Sequence, residues 1–172
     1  MDKIIFLDRD GVINKKAKEH DYIKSWDEFE FIDGIAEFIH DLNIMGYKVI
    51  VITNQRGISL GKLSPYNLAN IHDKMKESLK SKNAYIEDIF VCSHDIGECS
   101  CRKPDIGLFL QAEERHDIDK SKSFMIGDNE SDILAGMRYG IISILFGKKK
   151  DNLLYCYDNF IDILNFISRH NK

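Results

Sequence analysis

Residues 4–10 read Ile-Ile-Phe-Leu-Asp8-Arg9-Asp10, an apolar run that stops at two carboxylates two positions apart, with Gly11 next. A buried parallel strand reads as a continuous apolar run, and in open α/β sheets ligands bind beyond the carboxyl ends of the strands. Asp8 and Asp10 are therefore expected to face a site. Two carboxylates this close raise each other's pKa unless a cation lies between them. Magnesium, which takes one or two carboxylates together with phosphate oxygens, suits that position. Three further polar clusters fall at the ends of apolar runs or just beyond them: Thr53-Asn54-Gln55, Arg102-Lys103-Pro104 and Gly127-Asp128-Asn129-Glu130-Ser131-Asp132. A carboxylate nucleophile, a hydroxyl donor, a cation and a further metal-binding carboxylate are together what phosphoryl transfer through an aspartyl-phosphate requires. Each cluster alone has a plainer use, as a strand end, a polar turn, a solvated lysine or a helix cap. Their conjunction, in the order acid, hydroxyl, lysine, acid, is not so easily explained.

A second constellation precedes the lysine. Cys92-x-His94-x4-Cys99-x-Cys101 brings three thiols and an imidazole within ten residues, the ligand set of a closed, tetrahedral structural zinc site. A redox pair at Cys99 and Cys101 is the competing use, which His94 beside Cys92 makes less attractive. The loop ends at Arg102-Lys103, so pinning it with Zn2+ would hold both cations in the site at little further entropic cost. The fourth cysteine, Cys156, sits in Leu153-Leu154-Tyr155-Cys156-Tyr157 and reads as a buried, inert thiol.

The elements that must position these residues alternate along the whole chain. Strands are predicted at about 3–7, 48–52, 87–93, 122–126 and 141–146, each short and rich in Ile, Val or Phe. Between them, Ile35, Phe38, Ile39, Leu42 and Met45 recur at helical spacing between Gly34 and Gly46. Ser64-Pro65 opens a second helix with Leu68, Ile71, Met75 and Leu79 as its apolar stripe. A third helix is expected from near Asp105, carrying Leu108, Phe109 and Ala112. A fourth runs from about Glu130 to Tyr139 with Ile133, Leu134 and Met137 inward and Gly140 closing it. A last one, about 159–168, buries Phe160, Ile163, Leu164 and Ile167. The irregular stretch 14–33 holds Tyr22, Trp26, Phe29 and Phe31 and is expected to pack as an ordered flap. This alternation is the signature of βαβ units: an α/β fold with a doubly wound, Rossmann-like, mostly parallel sheet in a single domain over 1–172, with a zinc loop at 92–101.

Composition excludes other classes. The 172 residues can bury a substantial core without a staple. The net charge of −4 and a pI near 5.9, with Lys148-Lys149-Lys150 as the longest like-charge block, argue against nucleic acid as a partner. Met1-Asp2-Lys3 leads directly into a strand and no apolar run approaches the roughly 18 residues of a membrane span, which points away from the membrane and to a cytoplasmic protein. Cysteines crowded beside a histidine, with no secretory signal, are not expected to form disulfides.

The four clusters, in kind and order, resemble the motifs of the haloacid dehalogenase superfamily of phosphotransferases. Residues 4–14, the run Phe29-Glu30-Phe31-Ile32-Asp33-Gly34 and the run Thr53-Asn54-Gln55-Arg56-Gly57-Ile58 resemble the D,D-heptose 1,7-bisphosphate phosphatases specifically, and the similarity covers nearly the whole chain. The histidinol-phosphate phosphatases share the Asp-Arg-Asp-Gly, Thr-Asn-Gln and Cys-x-Cys-Arg-Lys-Pro pieces and are the alternative. The resemblance implies Asp8 as nucleophile and Asp10 as the acid that protonates the leaving alkoxide and then activates water. It implies Mg2+ held by the Asp8 carboxylate, the Asp10 carbonyl oxygen and Asp128. Thr53 would donate to the transferring phosphoryl group, and Lys103 would neutralise charge on its oxygens. Arg102 matches a position that recognises the substrate's remaining phosphate or polar end. Zinc held by Cys92, His94, Cys99 and Cys101 would be structural.

Many members of that superfamily carry a cap domain, for which the segments 10–53 and 53–103 leave no room. A capless, open site is expected, with specificity left to loops around 15–24, 54–61 and 94–102. Arg9, Glu19, His20, Tyr22, Asn54, Gln55, Arg56, Arg102 and Asn129 are the candidate substrate-binding residues. The expected partner is a small phosphorylated sugar or metabolite, acted on by a monomer. Four departures bear on the substrate: the stretch between Gly11 and Tyr22 is longer than in the heptose phosphatases, the zinc loop is shorter and in that respect closer to the histidinol-phosphate enzymes, Arg56 stands where a small residue is usual, and Asn129 where a basic one is. None replaces Asp8, Asp10, Thr53, Lys103 or Asp128. A signalling receiver domain would place its phosphorylated aspartate after the third strand, where this chain has the cysteine loop. A zinc-stabilised binding module would have no need of both Asp8 and Asp10.

Overall fold

The computed structural model of the chain describes residues 1–19, 21–148 and 155–170. Among these, β1 (Ile4–Leu7), β2 (Lys48–Asn54), β3 (Asp88–Cys92), β4 (Phe124–Gly127), β5 (Ile142–Phe146) and β6 (Cys156–Tyr157) form one sheet. Its order is β3-β2-β1-β4-β5-β6, and every adjacent pair is parallel. Helices α1 (Ile35–Ile44), α2 (Pro65–Lys80), α3 (Gly107–Glu113) and α4 (Glu130–Tyr139) make the crossovers between the first five strands, and α5 (Phe160–His170) follows β6. Building outward from β1 in both directions makes the β1/β4 junction the topological switch point, and a ligand crevice opens beyond the strand ends there. Asp8 follows β1 and Asp128 follows β4.

The central strands are buried on both faces, which is why they read as unbroken apolar runs. Ile5 and Leu7 of β1, Val49 and Val51 of β2 and Phe124 and Ile126 of β4 pack with Ile39, Leu42, Leu68, Met75, Ile163 and Ile167 from α1, α2 and α5. Ile4, Phe6, Ile50, Ile52 and Met125 face the other way, onto Leu108, Phe109 and Ala112 of α3 and Ala135 and Tyr139 of α4. The Phe109 and Tyr139 rings stack with centroids 4.5 Å apart, closing that side. Two layers of helix on one sheet thus hold the strand ends rigidly.

Five strands fall where expected. β6 was not anticipated, being two residues at the sheet edge and too short to show periodicity. Leu153 and Leu154, beside it in the sequence, lie outside the described residues. Cys156 is half-buried rather than buried, its thiol directed at the Lys148 carbonyl at 3.2 Å.

α4 corrects the expected helix face. Ile133 is buried, but Leu134 and Met137 are 44% and 63% exposed. The inward residues are Asp132, Ile133, Ala135, Gly136 and Tyr139. Gly136 explains this: a Cβ there would collide with the Ser143 hydroxyl and the Met125 side chain, so the helix lies close on β4 and β5 through its small residues. α3 begins at Gly107 rather than Asp105, after a turn in which the Asp105 N–H donates to the Arg102 carbonyl at 2.9 Å.

The described residues of 14–33 pack as the expected flap. Trp26 and Phe29 stack at 5.0 Å and Phe31 meets Phe29 edge-on at 5.1 Å, while Lys15 N–H and Ile32 N–H bond to Glu30 O and Ile13 O at 2.8 and 2.9 Å. No helix among the described residues is long and apolar enough to cross a membrane.

Candidate active site

Register sets the site. Leu7 pairs with Val51 on one side and Ile126 on the other, so the chain leaves β1 at Asp8 flanked by the ends of β2 and β4. The Asp8 N–H still donates to the Ile126 carbonyl at 3.0 Å. At Gly11 the backbone turns with φ +96°, and a Cβ would run into the Asp128 carboxylate. Only glycine fits both the conformation and the approach.

A cavity of about 460 Å³ opens over these strand ends. Asp8, Asp10, Asn54, Gln55, Lys103 and Asp132 form its inner lining, and residues 16–19 and 21–23 with Arg102, Asn129 and Ser131 its outer part. It is bounded by ordered loops of the same chain rather than by an inserted domain.

Lys103 is fully enclosed. Its Nζ lies 2.8 Å from Asp8 Oδ1, 2.8 Å from Asp132 Oδ1 and 2.8 Å from the Ile52 carbonyl, so its three donors have three acceptors. Burial alone would lower its pKa; Asp132 and Asp8 outweigh that and raise it, so the side chain is a fixed cation. The Asn54 side chain holds the Lys103 backbone from both sides, accepting from its N–H at 3.1 Å and donating to its carbonyl at 3.2 Å. Asp8 feels the same burial with the opposite sign. Loss of water pushes its pKa up to about 7, with Asp132 and Asp10 adding to the rise and Lys103 opposing it.

Asp10 differs although it is two residues away. Arg9 Nη2 lies 2.9 and 3.0 Å from its two oxygens, Asn14 Nδ2 donates at 2.9 Å and Gln55 Nε2 at 2.8 Å. Burial would raise this carboxyl, but the Arg9 charge and the three donors outweigh it and hold the pKa below the usual range. Gln55 Nε2 also donates to Thr53 Oγ1 at 2.9 Å, which places Thr53 under the cavity floor.

The zinc candidates converge. Cys92 Sγ is 3.5 Å from Cys99 Sγ and 3.8 Å from His94 Nδ1, and Cys101 Sγ is 3.4 Å from Cys99 Sγ and 3.3 Å from His94 Nδ1. Zn–S bonds of about 2.3 Å in a tetrahedron imply ligand separations of about 3.8 Å, so the donor set and its size fit the metal. Around Cys99, burial works against the thiolate, but the Arg102 N–H, the Cys101 thiol and N–H and the Cys92 thiol together outweigh it and bring its pKa down to about 7. The same loop thereby ties these candidate ligands to Arg102 and Lys103.

Carboxylate oxygens of Asp8, Asp128 and Asp132 lie within 4.8 Å of one another. Both Asp132 oxygens are taken, by Lys103 and the Asn129 N–H, which leaves Asp8 and Asp128 as the carboxylates that fit a hard divalent cation. Asp8 is desolvated and Asp128 has its charge met by the Lys16 ammonium, while the three side chains donating to the Asp10 carboxylate leave its main-chain carbonyl as the ligand the resemblance implies.

Placement of the candidate substrate-binding residues is mixed. Glu19, Tyr22, Asn54, Gln55, Arg102 and Asn129 line the cavity. Arg102 has a buried Nη1 with no hydrogen-bond partner, and Asn129 donates to Asp128 Oδ1 at 3.0 Å. His20 lies outside the described residues. Arg9 is not in contact with the cavity: it is completely buried behind Asp10, because it continues the alternation of Ile5 and Leu7 toward α2. Arg56 also turns away, into an ion pair with Asp95 of the zinc loop.

Three contributors escaped the sequence reading. Asp132 lay within a quoted cluster but gave no sign that it would reach back from the first turn of α4 to Lys103. Lys16 and Lys18 belong to the lengthened 11–22 segment, and only the folded loop shows that they face the site.

A family model described as polynucleotide kinase 3 phosphatase matches residues 3–154. The chain is 40% identical over 154 residues, 88% of this chain and 82% of the relative, to a Helicobacter pylori protein named D-glycero-beta-D-manno-heptose-1,7-bisphosphate 7-phosphatase. It is 36% identical over 167 residues, 95% of each chain, to a Campylobacter jejuni protein named as the corresponding alpha-anomer enzyme. The fold superposes with a TM-score of 0.86 and 27% identity on a D,D-heptose 1,7-bisphosphate phosphatase from B. bronchiseptica crystallised with magnesium and phosphate, covering 97% of this chain and 98% of that one.

Proposed function

The chain belongs to the polynucleotide kinase 3 phosphatase family, and we propose that it hydrolyses the 7-phosphate of D-glycero-D-manno-heptose 1,7-bisphosphate in a Mg2+-dependent reaction through a phosphorylated Asp8. The observation that carries this reading is the position of Asp8 at the carboxyl end of β1, held 2.8 Å from a buried lysine whose charge is fixed. A carboxylate kept dry and oriented beside a cation is an activated nucleophile for phosphorus.

Asp8, Asp128 and the Asp10 carbonyl would hold the magnesium ion. When bound it supplies positive charge that offsets repulsion between the nucleophile and the phosphate oxygens. An Asp8 oxygen forms a bond to phosphorus as the ester P–O bond breaks, and Lys103 meets the charge carried by the equatorial oxygens. The leaving alkoxide takes a proton from Asp10. In the free protein Asp10 is a carboxylate, and an arriving phosphate dianion, by opposing that charge, draws a proton onto it. The deprotonated Asp10 then removes a proton from water as the water oxygen attacks phosphorus. The bond to Asp8 breaks, inorganic phosphate leaves and Asp10 is again protonated.

The second phosphate of the substrate would meet the outer part of the cavity, where Lys16, Lys18 and Arg102 line the space beyond Asp8 together with Glu19 and Asp21. Relatives named for both anomers resemble this chain, so the reading covers the 7-phosphate and leaves anomer choice to the outer loops. Zinc at Cys92, His94, Cys99 and Cys101 would be structural.

The test is phosphate release from both anomers of the 1,7-bisphosphate, with histidinol phosphate as comparison. The expected products are the heptose 1-phosphate and inorganic phosphate, dependent on magnesium. Asp8→Asn, which keeps the shape and loses the nucleophile, is expected to abolish turnover with an unchanged circular dichroism spectrum. Equal hydrolysis by that variant would overturn the mechanism, and faster turnover of histidinol phosphate would overturn the substrate.

A further inference from the structure

One buried titratable side chain beside the site takes no part in the reaction as described. His72 stands on α2 between Ile71 and Met75, on the face that packs against the sheet, and it is only 8% exposed. Its Nε2 lies 3.2 Å from Nη1 of Arg9. A guanidinium has donors only, so Nε2 is the acceptor and the ring is neutral, with its proton on Nδ1. Arg9 is itself completely buried, and its Nε has no partner. The plane of the guanidinium is therefore set from its two terminal nitrogens: Nη1 against His72 and Nη2 against both oxygens of Asp10.

We infer that His72 is a positioning residue for the acid–base step: by accepting from Arg9 it fixes the guanidinium and, through it, the orientation of the Asp10 carboxyl toward the leaving oxygen. The inference rests on the reading of Asp10 as the acid and base of a phosphatase. The geometry is a linear relay from a helix of the core to the reacting proton, with each link directional. A histidine that merely filled space in α2 would need no acceptor aimed at Arg9. Proton transfer tolerates little error in donor placement, and general acid catalysis supplies large factors only when the geometry is held. Asn14 and Gln55 also bind Asp10, so loss of the relay should loosen the acid without removing it.

The experiment compares two esters that differ in their need for the acid. A sugar phosphate leaves as an alkoxide that must be protonated; p-nitrophenyl phosphate leaves as a stable phenolate that need not be. The ratio kcat/KM reports events up to departure of the alcohol, so it isolates the acid step from later hydrolysis of phospho-Asp8. In His72→Leu, kcat/KM for the heptose bisphosphate is expected to fall about tenfold, with a much smaller fall for p-nitrophenyl phosphate. His72→Gln, whose amide oxygen can accept from Arg9, should restore most of the loss. Equal losses on the two esters in His72→Leu, no loss on either, or no recovery in His72→Gln would overturn the inference. Should the leucine variant fail to fold, His72→Asn carries the same test: its shorter amide withdraws the acceptor while staying polar, and parallel behaviour on both esters would again overturn it. Wild-type protein that turns over neither ester would overturn the phosphatase reading together with this one. Wild-type turnover without leaving-group selectivity in the variants overturns the positioning role alone.

Discussion

Lys103 and Asp132 meet as a buried ion pair, with Nζ 2.8 Å from Oδ1 and side chains only 1% and 2% exposed. They come from opposite sides of the sheet's switch point, the lysine from the loop after β3 and the aspartate from the first turn of α4. The pair gives Lys103 a permanent counterion that does not react. In the proposed reaction Asp8 would then change from carboxylate to acyl phosphate and back without leaving the lysine unpaired in a dry site. Asp132 also accepts from the Asn129 N–H through its other oxygen at 3.1 Å, which fixes it to the helix start that presents Asp128.

Removing one partner of a buried pair leaves an uncompensated charge and costs about 3–5 kcal/mol. Asp132→Asn preserves shape and one acceptor oxygen, so a loss toward the lower end, about 3 kcal/mol, is expected in denaturant unfolding. With its fixed counterion gone, Lys103 would bind Asp8 more tightly and make it a weaker nucleophile. We expect kcat to fall by about one to two orders of magnitude. Full stability in the variant would show that Asp132 does not balance Lys103.

Stripping zinc should act at a distance through the chain. Cys92, His94, Cys99 and Cys101 enclose a loop that runs directly into Arg102 and Lys103, and metal binding contributes to folding wherever the site is not preformed. With a zinc chelator, or in Cys99→Ser, amide hydrogen exchange is expected to rise across 92–103 while β1 and β4 remain protected. Activity would fall because Lys103 is no longer held. Retained protection across the loop after verified metal removal would contradict this, as would the absence of zinc from purified, fully active protein.

How much of this was legible in the chain depends on whether a residue's role is local. The positions of Asp8 and Asp128 just beyond β1 and β4, and of Thr53 at the end of β2, could be placed because strand ends follow from apolar runs. The convergence of Cys92, His94, Cys99 and Cys101 was legible because metal spacing is a short-range pattern. Arg9 looked like a substrate ligand from its neighbours, yet strand alternation carries it under the floor, and only the position of α2 reveals its partner. His72 was passed over for a related reason: the stripe Leu68, Ile71, Met75, Leu79 is recognisable without it, and a polar side chain in that stripe gains meaning only from what lies opposite. The inward face of α4 was misassigned because close packing through Gly136 leaves the large apolar residues Leu134 and Met137 outside. Hydrophobicity reports burial, and here small size decided it instead.

The His72 environment also predicts a pH effect on stability. Burial, reinforced by the Arg9 charge and opposed by Asp10, pushes the His72 pKa down to about 3. Above the ordinary histidine value of about 6.5 the ring is neutral in both folded and unfolded protein, so it contributes no dependence on pH there. As pH falls below about 6.5 the unfolded chain takes up a proton that the folded protein refuses, and the folded state loses up to about 1.4 kcal/mol per pH unit until the folded pKa is reached. His72→Gln removes that proton uptake while keeping an acceptor for Arg9. Other groups, Asp8 among them, titrate in the same range, but they do so in both proteins and largely cancel in the difference. The expected result is that the stability of His72→Gln relative to wild type rises as pH is lowered from 6.5 toward 4 and is flat between pH 7 and 8, measured by urea unfolding at each pH. A difference independent of pH would mean that His72 takes up its proton in the folded protein as readily as in the unfolded chain, which a buried ring accepting from Arg9 would not do.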